Sequence, residues 1–406
     1  MPTPRHATVD PTCSGVYHCR SRCVRRAFLC GQDRYSGRNY EHRRAWVRNR
    51  LRELAGLFAV EVHSYAVMSN HLHLVVRTRP EWVKGWSDEE VARRWLWLFP
   101  GPGGTPGQPA SPEAIRSLCR DREKLAQRRQ RLAHLSWFMR CLNENIARRA
   151  NDEDDCTGRF WEGRFKCERL ADEGAALACM SYVDLNPVRA GMAESLEASD
   201  FTSAQDRLVA SKARRQLAEL ATTPSDPTPA QAGLIGQARL DAQRDAWLAP
   251  IGLPGDTEDL GRPSLALGDW GRDCDREKNC SRSGPSPASP ASPASPASPA
   301  APAPSPAARP APLLTELSAD RYLELIDWTG REIRTGKRGR ISPDLAPVLE
   351  RLDLDVEAWV GNVQRYGGLF YRLAGKLESL RQAASAAGLA WLRGQQGARQ
   401  LYRWAS

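Results

Sequence analysis

Residues 58–77 have the sequence FAVEVHSYAVMSNHLHLVVR, in which two apolar runs flank the turn-like residues 68–70. Branched and aromatic side chains are common in both runs, and such residues favour strands. Small and polar residues separate the runs, as they do in hairpins. The stretch therefore predicts a β-hairpin, with strands at 58–67 and 71–77.

The residues around this hairpin predict a sheet covered by helices. Periodicity and capping residues predict further elements at 15–22 (strand), 41–57 (helix), 111–150 (helix), 159–169 (strand) and from Asp172 to the break at Pro187 (helix). The order is then strand, helix, strand, strand, helix, strand, helix. It predicts an α+β fold, with a ferredoxin-like sandwich over residues 13–205. Residues 80–112, with a Trp-rich helix and a Gly/Pro loop, are expected to form an inserted lobe.

The second half of the chain has a different composition. Residues 285–312 contain only Pro, Ser, Ala and one Arg, so they have no apolar residue large enough for a core and predict a disordered Pro/Ala/Ser linker. The whole stretch 206–312 is expected to be loosely ordered. Residues 313–406 have a helical pattern throughout, which predicts a separate, basic, all-α C-terminal domain.

The charge of the chain points to a polyanionic partner. Lys and Arg number 58 against 48 Asp and Glu, a net charge of +10, and residues 1–79 hold 14 Arg against 5 acidic residues. Only 7 of the basic residues are Lys, and guanidinium groups suit contacts with phosphate. An Arg-rich genome would explain the excess of Arg over Lys. It would not explain the clustering.

Two classes of protein are disfavoured by the sequence. No apolar run approaches the roughly 18 residues of a membrane helix, and the first residues lack the apolar core of a signal peptide, so we expect a cytoplasmic protein. The 11 Cys include no C-x-x-C pair, which argues against a disulfide framework and a zinc ribbon.

The pair His71 and His73 is the first candidate for chemistry. Side chains alternate between the faces of a strand, so both imidazoles are expected on one side, with Leu72 on the other. Two such ligands can hold one metal ion and leave positions open for a substrate. The alternative is two histidines that only make hydrogen bonds.

The second candidate is the pair Tyr182 and Asn186. They are separated by four residues and would share one helical face, which would place a phenol and an amide oxygen near the same point. Because Asn186 precedes Pro187, its backbone is pushed away from helical angles. The alternatives are a core aromatic and a plain helix terminator.

Three motifs in order resemble a known family. YAVMSNHLHLVV (65–76), RFWEGRFKCERL (159–170) and YVDLNPVRAGM (182–192) are similar to the REP-associated tyrosine transposases, a group within the single-strand insertion-sequence transposases with a His-hydrophobic-His signature. The likeness covers roughly residues 13–200.

This resemblance implies roles for single residues. His71 and His73 match the metal-binding pair, Tyr182 matches the nucleophile, and Asn186 matches the third ligand. The implied cofactor is a divalent metal, Mg or Mn, although imidazole pairs suit zinc-like metals better. The implied reaction is cleavage and strand transfer of single-stranded DNA through a 5′-phosphotyrosine, on hairpins of repeated palindromes.

Contacts with the DNA are predicted from charge and from aromatic residues among the basic ones. The candidates are Arg20, Arg22, Arg25, Arg26, Trp161, Arg164, Lys166 and Arg189. Core packing is the alternative for Trp161. Residues 313–406 are expected to contact duplex DNA or a protein, and the chain to be a monomer or a homodimer associated with the nucleoid.

Two other functions stay open. A regulator would bind DNA hairpins without cutting them. A replication or conjugation initiator would use the same chemistry, but the chain has no G-x-x-x-x-G-K-[ST] phosphate loop, so a helicase is not built in.

Overall fold

A computed structural model describes most of the chain. The described residues are 8–24, 29–33, 37–221, 229–251, 313–314, 317–335, 346–386 and 388–403. Arg25, Arg26 and the predicted linker at 285–312 lie outside them. None of the helices in these ranges combines the length and the apolar composition needed to cross a membrane.

The described residues form a mixed α+β fold around a single five-stranded sheet. The strands are β1 (Gly15–Arg22), β2 (Val60–Val67), β3 (His71–Thr78), β4 (Lys166–Leu170) and β5 (Leu373–Ala374). Their order in the sheet is β2-β3-β1-β4-β5. The first four strands pair antiparallel and β5 runs parallel to β4. The predicted hairpin is confirmed as β2 and β3, and β4 is shorter than predicted.

Fifteen helices are described. They are α1 (His42–Leu57), α2 (Trp82–Gly85), α3 (Asp88–Leu98), α4 (Pro112–Arg120), α5 (Arg122–Leu132), α6 (Leu135–Glu153), α7 (Glu173–Asp184), α8 (Asn186–Arg189), α9 (Ser203–Ala221), α10 (Pro229–Ala242), α11 (Ala319–Thr335), α12 (Ala346–Arg351), α13 (Trp359–Leu369), α14 (Leu377–Ala386) and α15 (Gln395–Leu401).

The two faces of the sheet bury different helices. Leu72, Leu74 and Val76 of β3 belong to one apolar cluster together with α1 and α6. Val75 belongs to a second cluster together with α7. Because side chains alternate along a strand, His71 and His73 lie on the α7 face.

The helical stretch predicted at 111–150 is three helices rather than one. The side chain of Asp121 accepts a hydrogen bond from the Lys124 amide (3.0 Å), and that of His134 accepts one from the Ser136 amide (3.1 Å). Both residues have extended ψ angles, 85° and 119°, so each caps a new helix. The predicted cap of α7 is confirmed, since Asp172 Oδ1 accepts from the Ala175 amide at 2.9 Å.

Two described parts of the stretch expected to be loosely ordered, 206–221 and 229–251, are largely helical. They contain most of α9 and all of α10, and Tyr65 Oη of β2 donates to Asp206 Oδ2 of α9 at 2.5 Å. Arg244 Nε donates to the other oxygen of Asp206 at 2.7 Å. These buried polar contacts tie α9 to the edge of the sheet.

The C-terminal segment, residues 313–403, is not separate from the sheet. Its strand β5 follows β4, and the Ala171 amide donates to the Ala374 carbonyl at 2.8 Å. Tyr322 and Trp359 of α11 and α13 are fully buried in the same cluster as α7. Tyr322 Oη also donates to the buried Asp184 Oδ2 at 2.6 Å. The apolar faces of these helices are thus buried on α7, where the sequence predicted an independent core.

Candidate active site

Three histidines and a tyrosine meet on the α7 face of the sheet. The rings of His71 and His73 have centroids 4.9 Å apart, as strand alternation predicts. The Tyr182 ring, from α7, lies 5.5 Å from His73 and edge-on to it. His18 of β1 stacks on His73 at 5.1 Å. We call His18, His71, His73 and Tyr182 the polar centre.

His18 and His73 are joined by a buried hydrogen bond. His18 Nε2 and His73 Nδ1 are 2.8 Å apart, and both residues are almost fully buried. Among the described residues, His18 Nδ1 has no hydrogen-bond partner, and Glu168 Oε2 is 3.9 Å away from it. His71 is held separately, because its Nδ1 lies 2.6 Å from Asn70 Oδ1.

The surroundings of these imidazoles favour their neutral form. Burial lowers the pKa of His71 to about 4, and Arg22 and Arg20 act in the same direction. Burial also lowers the pKa of His73 well below its usual value, with His18 as a further cause. Neutral imidazoles keep a lone pair, which is the state that binds a metal ion.

Arg189 organises the region around Tyr182. Its guanidinium carbon lies 4.5 Å from the centroid of the Tyr182 ring. Its Nη1 donates to Asn186 Oδ1 at 3.1 Å, and its Nη2 donates to the Gln364 carbonyl at 2.6 Å. Of the predicted DNA contacts in the described residues, Arg189 alone touches Tyr182.

The C-terminal segment covers Tyr182. Tyr366 of α13 packs on it with ring centroids 5.6 Å apart, and only 8% of Tyr182 is exposed. The next residue is Gly367, and a Cβ atom there would lie 2.7 Å from Tyr182 Oη. The absence of a side chain at Gly367 therefore makes room for the phenol.

Asn186 does not share a continuous helix with Tyr182. Helix α7 ends at Asp184 and Asn186 begins α8, so the predicted spacing along one helical face is interrupted. The interruption is at Leu185, and Asn186 is helical, so the distortion expected at Asn186 before Pro187 is not found there. Arg189 links Asn186 to Tyr182, and the buried Asn186 Nδ2 has no hydrogen-bond partner in the part of the chain that the structure describes.

The donors fit a divalent ion in part. Within the described ranges, no group of three or more His, Cys, Asp or Glu side chains is arranged to hold a metal ion. His71 and His73 offer two neutral imidazoles on one strand. Asn186 Oδ1 already accepts from the Arg189 cation, so it fits less well as a third ligand.

The other predicted DNA contacts lie in or near the paired ends of β1 and β4, where Arg20 is opposite Lys166. Arg20 is half-buried in β1, and Arg22 is exposed and paired with Glu162 at 3.4 Å. Arg164 and Lys166 are exposed. Trp161 is half-buried, and its Nε1 donates to the Asn143 carbonyl at 2.8 Å, so its indole packs on α6.

Sequence reasoning missed four residues of this site. His18 and Glu168 lie on strands that were predicted, and strand alternation could have placed them on the α7 face. Tyr366 and Gly367 carry no such signal, because they reach Tyr182 through the packing of a distant segment.

Comparisons with protein-family models, with curated proteins and with solved structures find no match to this chain.

Proposed function

We propose that the chain is a transposase-like DNA strand transferase that acts on hairpin-bearing single strands. The observation that carries the proposal is the meeting of His71, His73 and Tyr182 at one point, from a strand and a helix far apart in sequence. The Tyr182 ring lies 5.5 Å from that of His73. A phenol beside neutral imidazoles and a guanidinium supplies both a nucleophile and groups that bind phosphate.

The topology supports a ferredoxin-like core for this site. The four antiparallel strands have the order β2-β3-β1-β4, and α1 and α6 lie together on one face. Helix α7, which carries Tyr182, packs on the other face. In this arrangement the sheet together with α1 and α6 forms the scaffold. Helix α7 places Tyr182 against the other face of the sheet.

In the proposed reaction Tyr182 Oη attacks the phosphorus of the scissile phosphodiester. The Oη–P bond forms, the bond from phosphorus to the 3′ oxygen breaks, and the phenol loses its proton. The leaving oxygen takes up a proton and becomes a free 3′-hydroxyl. Because the 5′-phosphotyrosine is itself a phosphodiester, a second 3′-hydroxyl can replace Tyr182 without a nucleotide cofactor.

The residues around Tyr182 have separate tasks in this scheme. Arg189 lies over the phenol ring and is placed to bind a non-bridging phosphate oxygen. His71 and His73 would hold a divalent ion, Mg or Mn. The chemistry that such an ion supplies is Lewis-acid polarisation of a phosphate oxygen.

One observation favours the alternative of a non-catalytic regulator that binds DNA hairpins. Tyr182 is only 8% exposed beneath Tyr366 and Gly367, so a phosphate must displace part of this cover to reach Oη. A regulator would keep the cover closed. Both functions predict a protein associated with DNA in the cytoplasm.

Trapping of a covalent adduct distinguishes the two functions. The full chain is incubated with internally labelled hairpin-bearing single strands, with Mn or with EDTA, and resolved on a denaturing gel with mass analysis. We expect a metal-dependent adduct on Tyr182 that disappears in Tyr182→Phe, while DNA binding is retained.

The matched control is Tyr40→Phe, which removes the hydroxyl of a tyrosine outside the site and keeps its ring beneath Arg43. It should leave the adduct unchanged. Tight binding of hairpins without any adduct, under every metal tested, would replace the strand transferase by the regulator.

A further inference from the structure

Two large aromatic side chains are exposed to an unusual degree. Tyr371 is 54% exposed and Trp391 is 64% exposed. Exposure of a large aromatic ring to water is unfavourable. Neighbouring exposed aromatic rings are therefore typical of binding surfaces. Neither residue takes part in the polar centre described above.

Both rings line one cleft. Its volume is about 190 Å³, and its lining residues come from two short segments, namely Tyr371, Arg372, Leu373, Trp391, Leu392 and Arg393. The first segment leads into β5 at the edge of the sheet, and the second leads into α15. The cleft therefore lies within the C-terminal segment that covers Tyr182.

The charge of the cleft is entirely positive. The guanidinium carbons of Arg372 and Arg393 lie 5.5 Å and 5.8 Å from the centroid of the Tyr371 ring. No Asp or Glu is among the lining residues. In the described part of the chain, Arg393 forms no ion pair. An anionic ligand would therefore meet two cations beside an aromatic face.

A backbone feature fixes the shape of the cleft. Gly394 has φ +124°, a conformation that favours glycine, and a Cβ atom there would lie 3.1 Å from the Phe370 ring. The chain can thus turn tightly against Phe370 next to the segment that contributes Trp391 to the cleft. Phe370 in turn packs on Tyr366 at 5.7 Å, and Tyr366 packs on Tyr182.

We propose that this cleft binds unpaired bases of single-stranded DNA, with the bases stacked on Tyr371 and Trp391 and the phosphates held by Arg372 and Arg393. Alternating aromatic faces and cations match the repeat of base and phosphate in a single strand. A duplex hides its base faces, and an acidic peptide would leave the aromatic faces without a planar partner. As a subsite for the strand that reaches Tyr182, the cleft rests on the proposed function.

The first test measures the affinity of the full chain for a fluorescein-labelled oligo(dT) strand by anisotropy. Loss of one stacked base is expected to weaken binding about tenfold in Trp391→Ala. Trp391→Phe keeps an aromatic face and should retain most of the affinity. The control is Phe99→Ala, which removes another exposed aromatic outside the cleft and should change nothing.

The second test examines the phosphate contact. Arg393→Glu should weaken binding and lower the slope of log affinity against log salt by about one. Arg381→Glu makes the same change of charge on the exposed surface of α14, in the same segment. Equal effects of the two variants would show that only net charge matters, and would overturn the proposal.

The outcomes separate this inference from the proposed reaction. If Trp391→Ala weakens DNA binding but no adduct with Tyr182 forms, the cleft stands and the strand transferase falls. If the adduct forms and Trp391→Ala binds oligo(dT) as tightly as the unchanged chain, the cleft falls alone. Tighter binding of oligo(U), or an equal effect of Trp391→Ala on duplex DNA, would also overturn the assignment to single-stranded DNA.

Discussion

An arginine lies over a tyrosine both at the polar centre and in the cleft lined by Tyr371 and Trp391. The first tyrosine is buried, and the second is exposed. Arg189 lies 4.5 Å from the Tyr182 ring, and Tyr182 is 8% exposed. Arg372 lies 5.5 Å from the Tyr371 ring, and Tyr371 is 54% exposed. At Tyr182, hydrogen bonds to Asn186 and Gln364 hold the arginine in one position. The closed stack fixes the position of the Tyr182 ring, whereas the open one leaves part of the Tyr371 ring exposed.

The largest expected effect is on the free energy of unfolding, when a buried and an exposed tryptophan of the C-terminal segment are each replaced. Trp359 is fully buried in the C-terminal segment, and its Nε1 donates to Thr329 Oγ1 at 3.0 Å. Trp359→Ala removes the buried indole and its hydrogen bond to Thr329, and should lower the free energy of unfolding by about 3–5 kcal/mol. Trp391→Ala removes an exposed indole and should change it by less than about 0.5 kcal/mol. Denaturant unfolding followed by circular dichroism measures both.

This pair of variants also tests whether the C-terminal segment belongs to the core. If Trp359→Ala melts only residues 313–403 and leaves the remaining transition unchanged, the segment is a separate unit, as its composition suggested. A single cooperative transition shifted to lower denaturant supports the shared core seen around α7.

The local elements of the fold were predictable from the sequence, and the packing of the C-terminal segment was not. Period and capping residues determine where β1, α1 and the hairpin lie, and these signals are local. The contact between α13 and α7 depends on two apolar surfaces that fit each other. A helical pattern shows that α13 has an apolar face, but not which surface buries it. Asp121 and His134 are local signals for the start of new helices. The stretch was predicted as one helix because its charged, helical pattern is continuous.

The closed geometry around Tyr182 is tested by a pair of neighbouring glycines. A Cβ atom at Gly367 would lie 2.7 Å from Tyr182 Oη, and one at Gly368 would meet nothing within 4 Å. Gly368→Ala should stabilise the helix by up to about 1 kcal/mol. Gly367→Ala must push the phenol against its neighbours and should destabilise the chain by about 1–3 kcal/mol.

Thermal or denaturant unfolding of the two glycine variants gives the comparison. If the variants shift stability equally, the cover over Tyr182 is looser than the contact at Gly367 implies. Under the proposed function, Gly367→Ala should also slow the formation of the DNA adduct, while Gly368→Ala should not.

At the candidate site, as in the fold, local motifs were predictable from the sequence and contacts between distant segments were not. His71, His73, Tyr182 and Asn186 stand in short motifs, and strand alternation predicted that the two histidines share one face, while the roles of all four are proposals that the family resemblance implies. The interruption between Tyr182 and Asn186 lies at Leu185, whereas the restriction before Pro187 was expected to act on Asn186, which is helical. The cover by Tyr366 could not be inferred, because no local pattern links residues that are far apart in the chain.

The smallest expected effect concerns a closed environment away from both sites. His63 lies at a bulge between β2 and β3, and within the described ranges both of its buried ring nitrogens lack a hydrogen-bond partner, with Glu61 Oε2 3.9 Å from Nε2. Burial lowers its pKa well below 6.5, and Arg207 is the next cause. As the pH falls below about 6.5, the unfolded chain therefore binds a proton that the folded chain does not. The folded chain therefore loses stability as the pH falls below about 6.5. Above that pH, His63 does not affect stability.

Replacement of His63 should reduce this acid sensitivity. We expect His63→Leu to lower the dependence of unfolding free energy on pH by up to about 1.4 kcal/mol per pH unit between pH 6 and 5. The denaturant midpoint is measured at pH 5 and at pH 7.5, where the imidazole is neutral in both states and serves as the internal control. An unchanged pH dependence in the variant would mean that His63 is protonated in the folded chain. The charge would then be stabilised by Glu61, whose Oε2 lies 3.9 Å from His63 Nε2, or by water, as at the exposed Tyr371 and unlike the closed surroundings of Tyr182.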